Sequence, residues 1–196
     1  MKLSALLQNL PYQDISCPID HREIQSITED SREVRPDCIF VALRGTIQDG
    51  SRFIRDAVEH GASAVVSDQS APTIRELCQS KNVCLVQVSE SKSVLKELLR
   101  RFYGNPSEKV KTIGITGTNG KTTITYLLEN ILLQSGNPCG VIGTINHRIA
   151  GKVLPSVNTT PGLVDNQIYL SDMVNSGVRY CAMEVSSHAL DQGRVD

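Results

Sequence analysis

A chain of 196 residues with a formal charge of −1 is long enough for one large or two modest domains, each able to bury a core. Aromatic residues make up 4% and Trp is absent, so the chain offers neither the basic stripe nor the stacking platform of a nucleic-acid binder. The six cysteines (Cys17, Cys38, Cys78, Cys84, Cys139, Cys181) are scattered without a Cys-x-x-Cys pair, no His stands at metal-ligand spacing, and the thiols read as small core residues of a reducing compartment.

In chain order, Leu3, Leu6, Leu7 and Leu10 mark one face of a first helix whose apolar core is too short for a signal peptide. No run approaches the ~18 apolar residues of a membrane span. A soluble, cytoplasmic protein without membrane insertion is expected. Residues 24–28 and 38–43 are predicted strands joined through a turn at Arg35-Pro36-Asp37. Ser51 is a predicted cap for a helix carrying Phe53, Ile54, Ala57 and Val58, closed by Gly61. A buried strand over 62–66, a helix from Pro72, a strand over 83–88 and a helix over 92–102 follow. Strands alternating with helices predict a largely parallel sheet covered on both faces. Residues 103–109, polar and bearing Gly104 and Pro106, are the predicted linker, which divides the chain into domains 1–105 and 106–196.

The second segment opens on Val110-Lys111-Thr112-Ile113, a β-branched strand, and runs into Gly114-Ile115-Thr116-Gly117-Thr118-Asn119-Gly120-Lys121-Thr122-Thr123. Apolar residues at helical spacing follow from Ile124. Strand, glycine loop and helix in that order form a cradle for a nucleoside triphosphate such as ATP. Gly117 and Gly120 let backbone N–H groups converge on phosphate oxygens, and the helix N-terminus adds partial positive charge. Lys121 is the candidate for the terminal phosphates and Thr122 for a Mg²⁺ ligand. The usual phosphate-loop pattern has a glycine where Ile115 stands, so this loop is a shorter variant. A second strand over 139–143, a hairpin excursion around Gly151, a helix capped by Thr160 with Pro161 in its first turn, and a third strand over 178–185 complete the chain. Three strands and two helices make an incomplete nucleotide-binding sheet. Glu184, at the carboxyl end of the third strand where ligands bind in open α/β sheets, is the second candidate Mg²⁺ ligand. Ser187 and His188 are adjacent and lack an acid to orient them, which argues against a hydrolase. His21, His60 and His147 read as surface histidines.

Four motifs fall in order: Asp30-Ser31-Arg32, Asp49-Gly50 after Arg44-Gly45, Gly117-Thr118-Asn119-Gly120-Lys121-Thr122-Thr123, and Asn158-Thr159-Thr160-Pro161 with Met183-Glu184-Val185-Ser186-Ser187-His188. Together they resemble the Mur ligases of peptidoglycan synthesis, along the whole chain, and within them the tripeptide-synthetase branch. The resemblance implies an N-terminal UDP-binding α/β domain and a truncated, P-loop-type parallel-sheet ATPase domain, without the later carbamylated lysine or the amino-acid-binding domain. It implies an ATP-dependent amide ligase acting through an acyl phosphate. The substrates would be a UDP-N-acetylmuramoyl-dipeptide and an amino acid, either diaminopimelate or lysine. It implies that Gly117 to Thr123 bind ATP and that Lys121 and Glu184 are catalytic, with Mg²⁺ on Thr122 and Glu184. Substrate contacts would come from Ser31, Asn158, Thr159, Thr160, Ser186, Gln192 and Arg194, and nucleotide contacts from Thr46-Ile47-Gln48. A monomer is expected of a complete enzyme, and the 196 residues alone are expected to be inactive. Two alternatives stand beside this: a non-catalytic UDP- and ATP-binding fragment, and an amide ligase of the folylpolyglutamate or cyanophycin type.

Overall fold

A computed structural model describes residues 1–17, 22–45, 49–69 and 71–195. Its internal contacts divide the chain into two compact units, Met1–Phe102 and Tyr103–Asp196.

The first unit holds helices α1 (Leu3–Leu7), α2 (Ile54–Glu59), α3 (Pro72–Ser80) and α4 (Ser91–Phe102). Its strands are β1 (Tyr12–Ile15), β2 (Ser26–Thr28), β3 (Cys38–Ala42), β4 (Ala62–Ser67) and β5 (Cys84–Val88), in the spatial order β1-β5-β4-β3-β2. β2 to β5 run parallel and β1 returns antiparallel along β5. Alternation along the strands sends Cys38, Phe40, Ala42, Val65 and Leu85 to a core shared with Ile54, Ala57 and Val58 of α2 and Cys78 of α3. Apolar residues of α4 at helical spacing, Val94, Leu95, Leu98 and Leu99, are buried as well. β1 escapes sequence patterning because it is only four residues long and largely exposed. Asp49, not Ser51, is the local cap: its carboxylate accepts from the Ser51 N–H at 3.0 Å and opens a 3₁₀ turn over Gly50–Phe53. The cysteines are not all free thiols either. Cys17 and Cys84 are joined by a disulfide, while Cys38, Cys78, Cys139 and Cys181 are free and buried.

The second unit begins with α5 (Pro106–Lys109), so half of the expected linker is a helical turn with Pro106 buried. It continues through β6 (Lys111–Ile115), α6 (Lys121–Gln134), β7 (Cys139–Ile142), the hairpin β8 (Asn146–Ile149) and β9 (Lys152–Pro155), α7 (Leu163–Asn175), β10 (Tyr180–Glu184) and α8 (Ser187–Asp191). The sheet order is β6-β10-β7-β8-β9, with β6, β10 and β7 parallel. The last strand therefore inserts between two earlier ones, and the hairpin extends the sheet to five strands among the described residues. Cys181, Met183 and Val185 face Leu170 and Met173 of α7. Ala182 faces the other side, toward Leu128 and Leu132 of α6. This alternation puts Glu184 on the α6 side, beside the glycine loop. Thr160 is not the cap of α7, which starts at Leu163 with Gly162 in the cap position. Its hydroxyl instead donates to the Glu184 carbonyl at 2.8 Å and accepts from the Ser186 N–H at 3.0 Å. Among the described residues no helix is long and apolar enough to cross a membrane.

Candidate functional site

In the second unit, β6 delivers the chain to an exposed loop at its carboxyl end, and α6 starts immediately beyond it. Gly117 and Gly120 hold φ values of +139° and +82°, backbone that an L side chain adopts only with strain. The loop bends back so far that Lys121 Nζ donates to the Gly117 carbonyl at 2.7 Å. The ammonium thus lies against the loop backbone. Thr118, Asn119 and Gly120 are exposed, and Gly120 precedes the first turn of α6, whose free N–H groups favour an anion.

Glu184 is almost fully buried, and its carboxylate is held from three directions. Thr122 Oγ1 lies 3.0 and 2.9 Å from its two oxygens. The Thr144 N–H donates to Oε1 at 2.9 Å and the Thr144 hydroxyl to Oε2 at 3.0 Å. Thr144 was not legible as a site residue; the available signal was a Gly-Thr pair directly after a buried strand, at the strand end where ligands bind. Gly143 is needed for the approach, since a Cβ there would stand 2.4 Å from Glu184 Oε1. The Gly143 N–H in turn donates to His147 Nδ1 at 3.3 Å. His147 is therefore a core residue, not a surface one: it is buried, stacks obliquely on Tyr169, and desolvation pulls its pKa below the ordinary value. The period-2 alternation of β8 turned it inward, which loose patterning around Gly151 did not reveal.

The residues expected to touch the acceptor substrate divide into engaged and open groups. Thr159 Oγ1 sits 3.1 Å from Thr144 Oγ1, which links it to the carboxylate, and Asn158 is exposed next to it. Ser186 caps α8, its Oγ accepting from the Ala189 N–H at 3.2 Å. Arg194 donates through Nη1 to the Thr160 carbonyl at 3.0 Å and through Nε and Nη2 to Gln192 Oε1 at 2.9 and 2.6 Å. It also lines a cavity of ≈470 Å³ with Asn166 and Gln167, each of which buries a side-chain oxygen without a hydrogen-bond partner. No cluster of three or more His, Cys, Asp or Glu side chains forms a metal cage among the described residues. Thr122 and Glu184 are nevertheless a hard oxygen pair beside a phosphate-type loop, which fits Mg²⁺, an ion that takes few protein ligands and completes its shell with phosphate and water.

In the first unit, the polar residues gather at the carboxyl ends of the parallel strands. Asp30 accepts from the Arg32 N–H at 2.9 Å and pairs with its guanidinium, which holds the Asp30 carboxyl below the usual carboxylate range. The turn so formed holds Ser31, which is buried and whose carbonyl accepts from His60 Nδ1 at 2.9 Å. Past β3, Arg44 pairs with Asp68 at 3.3 Å, and past β4 Gln69 Nε2 donates to Asp49 at 2.8 Å. Thr46, Ile47 and Gln48 lie outside the described residues, as does His21. A cavity lined by Arg22, Glu59, Lys81 and Asn82 lies at the opposite ends of the strands, beside Ala62 and Ser63, away from this cluster.

Comparison with known proteins gives one family for both units. Residues 115–196 match the family model "Mur ligase middle domain", and residues 23–103 match "Mur ligase family, catalytic domain". A UDP-N-acetylmuramoyl-L-alanyl-D-glutamate–2,6-diaminopimelate ligase of Caldanaerobacter subterraneus is 39% identical over the whole chain, and one of Listeria monocytogenes is 40% identical. The chain spans 39% and 38% of the length of these two relatives. Among solved structures, a ligase of the same description superposes with a TM-score of 0.72 at 24% identity over 100% of this chain and 38% of its own. MurF from Acinetobacter baumannii superposes with a TM-score of 0.62 at 21% identity over 95% of this chain and 36% of its own. At these identities the superpositions speak to the fold.

Proposed function

Because the chain belongs to the Mur ligase family, we propose that it carries the uridine-nucleotide-binding and ATP-binding portions of the ligase that adds the third amino acid to UDP-N-acetylmuramoyl-L-alanyl-D-glutamate. The observation that carries this reading is the pairing of Thr122, first turn of α6, with the buried Glu184 across the mouth of the glycine loop. The names of the relatives favour diaminopimelate over lysine as the amino acid. The domain division at 1–105 and 106–196, a cytoplasmic location and a monomeric complete enzyme belong to the same proposal.

The loop amides of Gly117 to Thr123 and the start of α6 would bind the phosphates of ATP, with Lys121 leaving the Gly117 carbonyl for the terminal groups. That exchange replaces an exposed hydrogen bond from the ammonium to a neutral carbonyl with one to a negatively charged phosphate oxygen, where donor and acceptor are both ionised. Phosphoryl transfer to the substrate carboxylate needs alignment and charge neutralisation more than covalent participation. Lys121 supplies charge at the migrating group. Thr122 and Glu184 would hold Mg²⁺, which would neutralise the phosphate oxygens. Asn158, Thr159 and Thr160 would orient the muramoyl-peptide, supported by Ser186, Gln192 and Arg194. Ser31 would contact the uridine nucleotide, with the Arg44–Asp68 and Asp49–Gln69 pairs stiffening the strand ends around it.

For these 196 residues we propose binding without ligation, since they span only 39% and 38% of the length of the two ligases they resemble. Titration with a fluorescent ATP analogue plus Mg²⁺, and separately with the UDP-muramoyl-dipeptide, tests both halves. Lys121→Ala should weaken the first on the order of a hundredfold, the value of one charged phosphate contact, and Ser31→Ala only the second. Equal affinity of the Lys121→Ala variant for the ATP analogue would refute the loop assignment. Amide formation by the chain alone would refute the binding-only proposal.

A further inference from the structure

We infer that Thr144 is a positioning residue that fixes the Glu184 carboxylate for the cation of the nucleotide, an inference that rests on the loop of Gly117 to Thr123 being a nucleotide site. The single Thr122 hydroxyl proton is shared between the two Glu184 oxygens, whereas Thr144 serves each separately, one through its N–H and the other through its hydroxyl. The two supports differ in what happens on binding. A hydroxyl that turns its lone pair to a cation swings its proton away, so Thr122 would release the carboxylate as it becomes a ligand. Thr144 then remains the support of Oε2 and, through its backbone, of Oε1. A buried carboxylate that lost both would pay for desolvation without compensation and could swing out of reach.

The hydroxyl of Thr144 is itself oriented. It has one proton, and a carboxylate can only accept, so that proton goes to Glu184 Oε2. In the 3.1 Å contact between Thr144 and Thr159, the Thr159 hydroxyl is then the donor. Gly143 completes the clamp: a Cβ there would meet Oε1 at 2.4 Å, so the backbone lies directly against the carboxylate. A threonine serving only as a turn residue would need its N–H or its hydroxyl for the turn itself. Here both go to the same carboxylate, contributed by a residue 40 positions away.

The experiment measures the affinity of the 196-residue chain for a fluorescent ADP analogue with and without Mg²⁺. The wild type is compared with Thr144→Val, Thr144→Ser and Gly143→Ala, and thermal melts report folding. The expected result is that Thr144→Val binds the Mg²⁺-free nucleotide as the wild type does but loses roughly tenfold or more of the strengthening that Mg²⁺ confers, the scale of one hydrogen bond to a charged group. Thr144→Ser, which restores the hydroxyl, should recover it to within about twofold. Gly143→Ala displaces the carboxylate without removing a hydroxyl and should behave like Thr144→Val; it carries the test if the valine variant does not fold. An unchanged Mg²⁺ increment in Thr144→Val overturns the inference, and so does an equal loss with and without Mg²⁺, which would mark a structural role. Absence of nucleotide binding by the wild type under both conditions would instead overturn the functional reading, and this inference with it.

Discussion

In the unit Met1–Phe102, β3 is buried at every residue and β4 at all but one, with helices supplying apolar side chains to the core. In the unit Tyr103–Asp196, β6 exposes Lys111, Thr112 and Gly114, and α6 turns Ile124, Leu127 and Ile131 to solvent. Among the described residues, the exposed large hydrophobics Met1 and Tyr12 belong to the first unit and eight others belong to the second. The two units share the same layering of helices on a mixed sheet, so the difference lies in coverage. A sheet can be paired correctly and still leave one helix with apolar residues on both sides. The candidate phosphate loop stands on this less covered unit, at the end of its edge strand.

Breaking the first unit should therefore cost the most. The Cys17–Cys84 disulfide closes a separation of 67 residues across β1 and β5. Chain entropy assigns such a closure about 4 kcal/mol. Cys17→Ser, or reductant added to the wild type, should lower the melting temperature of this unit by at least several degrees. Hydrogen exchange should quicken in Met1–Phe102 and stay unchanged in Tyr103–Asp196. An unaltered melt in reductant would show that the bond contributes nothing in solution. Leu98→Ala is next. Leu98 is fully buried in α4, and its truncation should cost about 3 kcal/mol by transfer and cavity terms together. A loss under 1 kcal/mol in a denaturant titration would mean that α4 packs far more loosely than described.

Acid should separate the units by pH. Glu97 accepts from Arg100 and Arg101, and these guanidinium hydrogen bonds bring its carboxyl down to about 2. A folded-state pKa below the unfolded value means stability present above the ordinary carboxylate value of about 4.5 and lost as pH falls toward 2. With partial exposure and solvent screening this is worth about 1 kcal/mol. His147 moves the second unit in a different window. Burial lowers its pKa below 6.5, so below that pH the unfolded state binds more protons and stability declines on acidification. Protonation would also oblige Nδ1 to donate, breaking its contact with the Gly143 N–H beside Glu184. The expected outcome of exchange measurements between pH 7 and 4 is that Tyr103–Asp196 weakens first. His147→Gln should flatten that decline, and a parallel loss in both units would contradict the assignment.

The two regions also differ in how far the sequence revealed them. The glycine loop was legible because its chemistry is local: Gly117 to Thr123 are contiguous, and the strand and helix flanking them carry their own periodicities. Glu184 was legible by its place at a strand end. Thr144 was not, because its partner is 40 residues away and its own neighbourhood is an ordinary turn. Thr160 was misread for the opposite reason. A threonine before Pro-Gly fits a helix cap locally, yet its hydroxyl serves the backbone of Glu184 and Ser186. The Cys17–Cys84 pair followed no spacing rule, since β1 and β5 are neighbours in the sheet while β2, β3 and β4 lie between them in the sequence.

The smallest effect is the sharpest test of coverage. Leu127 is 56% exposed on α6, with Ile124 at 47% and Ile131 at 63% one turn to either side. A buried leucine replaced by serine would lose its transfer energy and leave a polar group without partners; an exposed one loses little of either. Leu127→Ser should therefore change unfolding free energy by no more than about 0.5 kcal/mol, the range of ordinary surface substitutions. It should also reduce concentration-dependent association in sedimentation, because a contiguous apolar face of this kind favours contact with another such face over water. Nucleotide binding should be unaffected, since Leu127 lies beyond the first turn of α6 and its side chain faces solvent. A destabilisation of about 2 kcal/mol or more would mean that this face is covered in solution, and the contrast between the two units would then vanish at its strongest point.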